Sequence, residues 1–281
     1  MKPVETVAFV GLGQMGRPMS ANLAKAGFAV RSYDLNGAGN CASAAEAARG
    51  ADVFLTMLPD GRAVREAVLG AGLPKGMLVL DMSSSDPVGT RALGKELAAR
   101  GVGLLDAPVS GGVKRAVDAS LAIMAGGDDP ALIERVRPLL EKMGGKIFLT
   151  GPLGSGHAMK ALNNYVSAAG LAATAEALVV GARFGLDPAV MTDIINASSG
   201  PNNTTEVKVK QFMLSGAYNS GFSVALMVKD VSIAASLADA VGSETPLAHA
   251  CVELWQRAAA QLGPRADHTE YYRFAGERRK D

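Results

Sequence analysis

The sequence predicts an α/β domain with a doubly wound parallel sheet, followed by an all-α domain that a long central helix joins to it. Up to residue 153, short β-branched and apolar runs alternate with helical patterns, as strands and crossover helices do in parallel sheets. From Gly154 onward the strand patterns stop and helical patterns cover the chain. An alanine-rich apolar run with few breakers begins near this junction and extends to Gly181. We therefore expect one domain over residues 1–153 and a second over residues 154–281.

Composition and charge limit the class of protein. The chain has 281 residues, of which 48% are hydrophobic, so it can bury one large core or two smaller ones. Its formal net charge is +1, so no excess of basic charge suggests a nucleic acid partner. Cys41 and Cys251 lie far apart in no CxxC arrangement, and neither a disulfide framework nor a zinc site is expected.

Neither a signal peptide nor a membrane-spanning segment is expected. Glu5 interrupts the first apolar run, which then becomes a glycine motif, and Glu176 interrupts the apolar region around 171–180. We expect a cytoplasmic protein with no membrane partner. The basic residues near the end are expected to form a solvated tail, namely Arg273, Arg278, Arg279 and Lys280.

The first strand pattern leads into a glycine motif. Thr6–Val10 is followed by Gly11-Leu12-Gly13-Gln14-Met15-Gly16, by a helical pattern through Ala26, and by a second strand at Phe28–Tyr33 that ends in Asp34. A GxGxxG motif between a strand and a helix is typical of a Rossmann-type dinucleotide-binding unit. The alternative is a glycine-rich turn that holds no ligand.

Each residue type in this motif has a physical role. Gly11 permits the tight turn, Gly13 lets the backbone approach a pyrophosphate, and Gly16 lets the helix pack on the strand. The free N–H groups and the dipole of the helix N-terminus favour phosphate. Asp34 follows Gly16 by 18 residues, near the roughly 20 expected for an acid that binds the ribose hydroxyls. Because a carboxylate would repel a 2′-phosphate, we expect NAD rather than NADP.

The remaining strand patterns of the first domain place further side chains at one edge of the sheet. Ligands bind at the carboxyl ends of parallel strands, so Leu58, Pro59, Ser83 and Ser84 are expected to line the cofactor cleft. Ser84 could also cap a helix that begins near Pro87. The strand patterns lie at Val53–Met57, Met77–Asp81, Gly103–Ala107, Leu121–Ala125 and Lys146–Leu149, with a helix at Pro130–Met143 and only a trimmed helix at Ala42–Arg49.

A small turn follows the strand at Gly103–Ala107. Ser110, Gly111 and Gly112 would place a hydroxyl and consecutive unhindered N–H groups together, which suits a carboxylate. As a bare pattern, this segment is a generic loop more often than a binding site.

The central helix carries polar residues in an apolar surrounding. Lys160 and Asn164 are i and i+4, so they share one face of the helix and need partners, unless the lysine reaches past the helix edge to solvent. Lys229 and Asp230 interrupt another apolar helix, either as a local surface pair or with the lysine turned into the cleft. The other helices are expected at 187–197, 203–214, 222–241, 246–262 and 267–275.

The three histidines lack the spacing of metal ligands, so no metal site is expected. His157 could lie near the cleft, but a structural role is expected for it, as for His249 and His268.

With these motifs in place, the chain resembles the β-hydroxyacid dehydrogenase family over nearly its whole length, and its 3-hydroxyisobutyrate dehydrogenases most. Four segments in order carry the resemblance: the cofactor signature at 11–27, DAPVSGGV at 106–113 followed by LAIMAGG, GSGHAMKALNN at 154–164, and the KD pair at 229–230. The chain departs from the family in the short segment after Asp34 and in Ala119, where glycine is usual before the LAIM strand.

The resemblance implies roles for the matching residues. Lys160 would be the catalytic acid or base, Asn164 would help to hold the substrate, and Ser110, Gly111 and Gly112 would bind its carboxylate. Lys229 would border both the nicotinamide and the substrate. NAD would contact Gly11, Leu12, Gly13, Gln14, Met15, Gly16, Asp34, Leu58, Pro59, Ser84 and Lys229.

The implied reaction is hydride transfer from the β-carbon of a small hydroxyacid to NAD, which gives the semialdehyde. Lys160 would either accept the hydroxyl proton or remain charged and stabilise the alkoxide. A reductase of small semialdehydes that uses NAD(P)H is the first alternative, and a non-catalytic dinucleotide sensor is the second. A decarboxylating dehydrogenase of the 6-phosphogluconate type is disfavoured because it carries histidine at the position of Asn163. The apolar helices of the second half suggest a homodimer or homotetramer.

Overall fold

The computed structural model describes residues 2–277, and the chain divides into two compact units, Met1–Lys160 and Ala161–Asp281. The expected boundary at 153/154 lies one to two helical turns before this division. The tail residues Arg278, Arg279 and Lys280 lie outside the described residues.

The first unit is built on one twisted sheet. The strands are Thr6–Val10 (β1), Ala29–Tyr33 (β2), Val53–Thr56 (β3), Leu78–Asp81 (β4), Gly103–Asp106 (β5), Val109–Ser110 (β6), Leu121–Gly126 (β7) and Gly144–Gly151 (β8). Their order in the sheet is β2-β1-β3-β4-β5-β7-β6, and β8 also pairs with β7. The fold class is therefore confirmed, with one difference. The first five strands are parallel, but β7 runs antiparallel to β5 and β6.

The register aligns the carboxyl ends of the parallel strands. Val10 pairs with Tyr33 and Thr56, Thr56 with Asp81, and Asp81 with Asp106. Polar residues that end or follow these strands therefore collect at one edge of the sheet.

Helices cover both faces of this sheet, and alternate strand residues are therefore buried on opposite sides. In β1, Val7 and Phe9 lie in one hydrophobic cluster, whereas Ala8 and Val10 lie in the other. The helices are Gly16–Lys25 (α1), Ala44–Ala48 (α2), Gly61–Gly70 (α3), Pro87–Ala99 (α4), Gly112–Val117 (α5), Pro130–Leu140 (α6) and the start of Ser155–Phe184 (α7).

Local caps explain where three of these helices begin. The carboxylates of Asp60, Asp86 and Asp129 accept hydrogen bonds from backbone N–H groups in the first turns of α3, α4 and α6. The capping role considered for Ser84 is therefore wrong, because Asp86 holds that position next to Pro87.

The second unit is helical. Leu171, Trp255, Tyr271 and Phe274 lie in its core, and Trp255 packs against Tyr271 with ring centroids 4.8 Å apart. The segment expected as an α-helix at 203–214 instead forms π-type hydrogen bonds. The elements are the rest of α7, Pro188–Ala197 (α8), the π-helix Thr204–Leu214, Val224–Ala240 (α9), Pro246–Leu262 (α10), a 3₁₀ turn at His268–Glu270 and Tyr271–Glu277 (α11).

By length and composition alone, α7 could cross a membrane. Lys160, Asn164 and Thr174 are nevertheless buried polar residues of this helix, and its Leu171 and Leu178 belong to the core of the second unit. We interpret α7 as a core helix.

Candidate active site

The glycine motif between β1 and α1 has the backbone that its sequence predicts. Gly11 adopts φ +100°, and a Cβ atom there would overlap the carbonyl oxygen of Met57. A Cβ at Gly16 would overlap the carbonyl oxygen of Gly11. At Gly13, in contrast, a Cβ would meet no protein atom within 4 Å. Gly11 and Gly16 are thus required by the turn itself, whereas Gly13 leaves its backbone open to a ligand.

The electrostatics of this loop suit a dinucleotide. The N-terminus of α1 has neither a side-chain cap nor an acidic residue in its first turn, and Gln14 and Met15 beside it are exposed and half-buried. The carboxylate of Asp34 accepts hydrogen bonds from the N–H groups of Asn36, at 2.8 Å, and Leu12, at 2.7 Å. These bonds lower the pKa of Asp34, so the carboxylate is ionised beside the loop. Asp34 can therefore accept hydrogen bonds from ribose hydroxyls and would repel a phosphate.

The residues that follow β3 and β4 differ in their exposure to solvent. Pro59 is exposed, and Leu58 and Ser84 are half-buried. Ser83 is 0% exposed, and its hydroxyl accepts a hydrogen bond from the N–H of Leu58 at 2.9 Å. The expectation that Ser83 lines the cleft is therefore wrong, since it braces the loop from inside.

The segment expected as a carboxylate-binding turn joins a strand to a helix. Ser110 ends β6 and pairs with Ala122 of β7, and α5 begins at Gly112. Gly111 and Gly112 have φ of +134° and +69°, and both are exposed. α5 begins without a side-chain cap. Gly111 and Gly112 thus lie at the surface of the first unit, and Ser110 beside them is half-buried.

The start of α7 is packed tightly against the sheet edge. Gly154 adopts φ +86°, and a Cβ at Gly156 would overlap the carbonyl oxygen of Met124. The carboxylate of Asp106 accepts hydrogen bonds from the N–H groups of Gly154, at 2.7 Å, and His157, at 2.8 Å. The glycines of the motif permit this approach, and the carboxylate satisfies the free donors of the first turn.

His157 is an internal residue of the first unit. It is 1% exposed, and its Nε2 lies 3.5 Å from Asp81 while its Nδ1 lies 3.7 Å from Asp106. Its Nδ1 also forms a 2.9 Å hydrogen bond with the hydroxyl of Thr90. No role was expected for Asp81 or Asp106 from the sequence. The available signal was a single carboxylate at the end of each buried strand, in MLVLD and GLLD.

Lys160 and Asn164 are both buried, at 8% exposure, on successive turns of α7. The alternative in which Lys160 reaches into solvent is therefore wrong. Asn164 donates a hydrogen bond to Asp230 and accepts one from Asn163 at 3.1 Å. Lys229 Nζ lies 3.4 Å from Asp230 Oδ1, and Asp230 is 3% exposed. Lys229 and Asp230 are thus no surface pair, and Asp230 is a partner of Asn164 that the sequence did not predict.

The other two histidines have different surroundings. Burial lowers the pKa of His268 to about 4, and the charge of Lys208 acts in the same direction. His249 is exposed, and hydrogen bonds to the carbonyl of Thr245 and to Asp239 raise its pKa. Over residues 2–277, no group of three or more His, Cys, Asp or Glu side chains is placed to hold a metal ion.

Comparison with known proteins decides the family. Residues 6–151 match the family model for the NAD-binding domain of 6-phosphogluconate dehydrogenase, and residues 154–275 match the model for NAD-binding of NADP-dependent 3-hydroxyisobutyrate dehydrogenase. The chain is 40% identical over 265 residues to 3-hydroxyisobutyrate dehydrogenase from Pseudomonas aeruginosa, which covers 86% of this chain and 88% of that protein. The chain belongs to the β-hydroxyacid dehydrogenase family.

Two further members of the β-hydroxyacid dehydrogenases are similar along most of their length. The 2-hydroxy-3-oxopropionate reductase of Escherichia coli is 34% identical over 278 residues, with 94% of each chain covered. The solved structure of 3-hydroxyisobutyrate dehydrogenase from Mycobacterium tuberculosis with L-serine is 37% identical and has a TM-score of 0.88, covering 96% of this chain and 99% of that one.

Family membership confirms three expectations. The chain is an oxidoreductase, its cofactor is NAD, and it transfers hydride on a small hydroxyacid. The chain is therefore an enzyme, an NAD-dependent dehydrogenase that acts on a hydroxyacid, and not a non-catalytic sensor. The roles of individual site residues stay predictions.

Proposed function

We propose that this chain oxidises a β-hydroxyacid of the 3-hydroxyisobutyrate type to its semialdehyde, with Lys160 as the catalytic acid or base. The observation that carries the proposal is a buried lysine one turn before a buried asparagine on the same helix. Burying polar groups is costly unless hydrogen bonds or charges compensate, and Asn164 has such a partner in Asp230. Residues 1–153 would bind NAD, and residues 154–281 would contribute to substrate binding and oligomerisation.

The residues present fit NAD. The open backbone at Gly13, the uncapped N-terminus of α1 and the ionised Asp34 support a pyrophosphate and an unphosphorylated ribose there. Bound NAD would supply the hydride acceptor. The residues that would hold it are Gly11, Leu12, Gly13, Gln14, Met15, Gly16, Asp34, Leu58, Pro59, Ser84 and Lys229.

Lys160 and Asn164 would have different roles at the reacting hydroxyl, namely proton transfer and hydrogen bonding. Lys160 accepts the hydroxyl proton during oxidation and returns one during reduction. Asn164 Nδ2 carries two N–H groups and gives one to Asp230, so the other can donate to the substrate. Asp230 thereby fixes the orientation of the amide, and its other oxygen lies 3.4 Å from Lys229 Nζ.

The substrate class follows from chemistry that related substrates share. In 3-hydroxyisobutyrate and L-serine, the hydroxyl is on the carbon β to the carboxylate. Ser110 with its hydroxyl, and the exposed Gly111 and Gly112 with their backbone N–H groups, would bind this carboxylate. Carboxylate and hydroxyl would thus be held by separate parts of the chain.

The decisive test is Lys160→Ala in the purified enzyme, assayed with 3-hydroxyisobutyrate, serine, glycerate and 3-hydroxypropionate and with NAD and NADP separately. We expect kcat to fall by about 10²- to 10⁴-fold, as for loss of a general acid or base, with the Kd for NAD within about twofold. Lys95→Ala, which changes an exposed lysine on α4, is the control and should be active. Turnover in Lys160→Ala comparable to that of the wild type would defeat the proposal.

A reductase of small semialdehydes is the second candidate, and the similarity to the Escherichia coli 2-hydroxy-3-oxopropionate reductase supports it. It is the same chemistry in the opposite direction. Initial rates with tartronate semialdehyde and NADH, compared with the oxidation rates above, decide between the two. A kcat/KM more than tenfold higher for reduction would favour this second candidate.

We also propose a homodimer or homotetramer in the cytoplasm. Large apolar side chains are exposed on the helices of the second unit, at Val166, Val180, Phe184, Val190 and Ile194. Sedimentation equilibrium of the wild type and of Val180→Asp tests this assembly. A monomeric wild type would contradict it.

A further inference from the structure

Two buried carboxylates and one imidazole meet where the ends of β4 and β5 lie against the first turn of α7. The side chain of His157 is 0% exposed, and those of Asp81 and Asp106 are 3% and 0% exposed. No atom of this cluster is among the groups that would touch NAD or the hydroxyacid. Burying three titratable side chains is costly unless hydrogen bonds compensate, and both carboxylates accept several.

Asp81 ties the cluster to the sheet. Its Oδ1 accepts hydrogen bonds from the hydroxyl of Thr56, at 2.9 Å, and from the N–H of Ser83, at 3.0 Å. Its Oδ2 accepts one from the hydroxyl of Ser85 at 2.9 Å and faces His157. Donors from β3 and from the loop after β4 therefore hold this carboxylate, and its remaining side faces His157 of α7.

Asp106 caps α7 from a distant part of the chain. A helix is usually capped by the residue just before it, whereas Asp106 precedes Gly154 by 48 residues. Its Oδ1 accepts a hydrogen bond from the N–H of Gly154, and its Oδ2 accepts one from the N–H of His157. The first turn of α7 is thus fixed against the end of β5 by its backbone. The side chain of His157 is hydrogen-bonded to Thr90 of α4, and its Nε2 lies 3.5 Å from Asp81 of β4.

Lys160 lies one turn beyond these anchors. A helix transmits displacement because each turn is hydrogen-bonded to the next, so a shift of residues 154–157 moves the Cα of Lys160. Misplacing a reacting group by about 1 Å can cost on the order of 100-fold in rate. We propose that Asp81, His157 and Asp106 are positioning residues that set the place of the Lys160 amine. This inference rests on the proposed catalytic role of Lys160.

The test compares two aspartates that hold backbone N–H groups at opposite ends of the same sheet. Asp106 holds two at the carboxyl ends of the strands, and Asp52 holds those of Glu5 and Thr6 at the amino end. Asp106→Ala should lower kcat by about 10- to 100-fold with the Kd for NAD within twofold, whereas Asp52→Ala should leave kcat within twofold. Hydrogen exchange at residues 154–160 should accelerate in Asp106→Ala and not in Asp52→Ala.

Milder variants keep the test decisive if Asp106→Ala does not fold. Asp106→Asn can accept only one of the two N–H groups, because its second atom is an N–H donor, and it should show the same loss of kcat to a smaller extent. His157→Gln, which retains a hydrogen-bonding amide, should keep more activity than His157→Leu.

The outcomes separate this inference from the proposed function. If Lys160→Ala is inactive but kcat of both Asp106 variants stays within twofold of the wild type, the positioning role is refuted and the catalytic role stands. An equal loss of kcat in Asp52→Ala would also refute it, because the effect would then be general destabilisation. Retained turnover in Lys160→Ala would instead refute the function on which the inference rests.

Discussion

The carboxylate of Asp267 should contribute strongly to the stability of the second unit. Its Oδ1 accepts hydrogen bonds from the N–H and the hydroxyl of Thr269, and its Oδ2 accepts the N–H of Gly221 at 2.8 Å. The hydroxyl of Ser220 lies within hydrogen-bonding distance of both oxygens. These bonds join the segment before α9 to the segment before α11, and α9 carries Lys229.

The magnitude for Asp267→Asn follows from these bonds. If Oδ1 keeps both bonds from Thr269, the new Nδ2 faces the N–H of Gly221, and one hydrogen bond to a charged acceptor is lost, worth about 1.5 to 3 kcal/mol. The retained bonds lose their charge assistance, while water can reach the exposed Gly221 and recover part of the loss. We expect the free energy of unfolding to fall by about 2 to 3 kcal/mol.

The assay uses the single tryptophan of the chain. Trp255 is fully buried in the second unit and packs against Tyr271, so its fluorescence during urea denaturation reports unfolding of this unit. Asp187→Asn is the matched control. Asp187 caps α8 by accepting two N–H groups, and asparagine caps helices about as well as aspartate.

The pH dependence gives an independent check. Burial would raise the pKa of Asp267, but the hydrogen bonds from Thr269, Ser220 and Gly221 outweigh it and lower the pKa below 3.8. A carboxyl whose folded pKa is depressed adds stability above its unfolded pKa and loses it as the pH falls through the folded value. The difference between wild type and Asp267→Asn should therefore be constant from pH 7 to 5 and shrink below about pH 4. A difference under about 0.5 kcal/mol at pH 7, or an equal loss in Asp187→Asn, would refute the reasoning.

Three further predictions follow from backbone and site geometry. Gly16→Ala should weaken NAD binding at least about tenfold in a fluorescence titration, because the new Cβ would displace the phosphate-binding turn; an unchanged Kd would contradict this. Ala119→Gly should raise the free energy of unfolding of the first unit by about 0.5 to 1 kcal/mol, because Ala119 adopts φ +53°. The control, Ala92→Gly in an exposed turn of α4, should lower that free energy by about 1 kcal/mol. Hydrogen exchange at increasing denaturant concentration measures both. A loss of stability in both would count against the strain at Ala119. Asp230→Ala should raise KM for the hydroxyacid about tenfold with little change in the Kd for NAD, because Asn164 loses the acceptor that orients it. Equal effects on both ligands would contradict that role.

Local patterns were sufficient for much of the fold. The alternation of strands and helices, the glycines at Gly11, Gly13 and Gly16 and the break in pattern at Gly154 predicted two domains and a dinucleotide site. These features can be predicted because each depends only on residues close together in the sequence. Hydrophobic residues recur every two residues in a strand and every 3.6 in a helix, and a positive φ is adopted readily only by glycine. Ala119 shows the limit of that rule, since the turn keeps φ +53° although the residue is not glycine.

The departures came from contacts between distant parts of the chain. Ser83 is internal, where its hydroxyl oxygen accepts a hydrogen bond from the N–H of Leu58, 25 residues earlier. Asn164 is oriented by Asp230, 66 residues later. The antiparallel placement of β7 likewise depends on which strands pair, and no local period encodes pairing.

The sequence by itself determined the class of fold, the cofactor loop and the helix that carries Lys160, because propensity, periodicity and glycine conformation are local properties. Only the tertiary structure decided that Asp81 and Asp106 close around His157. Two carboxylates that end separate strands become neighbours when the strands pair in parallel register and a helix start is packed against them. The members of such a buried polar cluster stabilise one another only after the strands and the helix have packed together, so the cluster is a property of the folded unit.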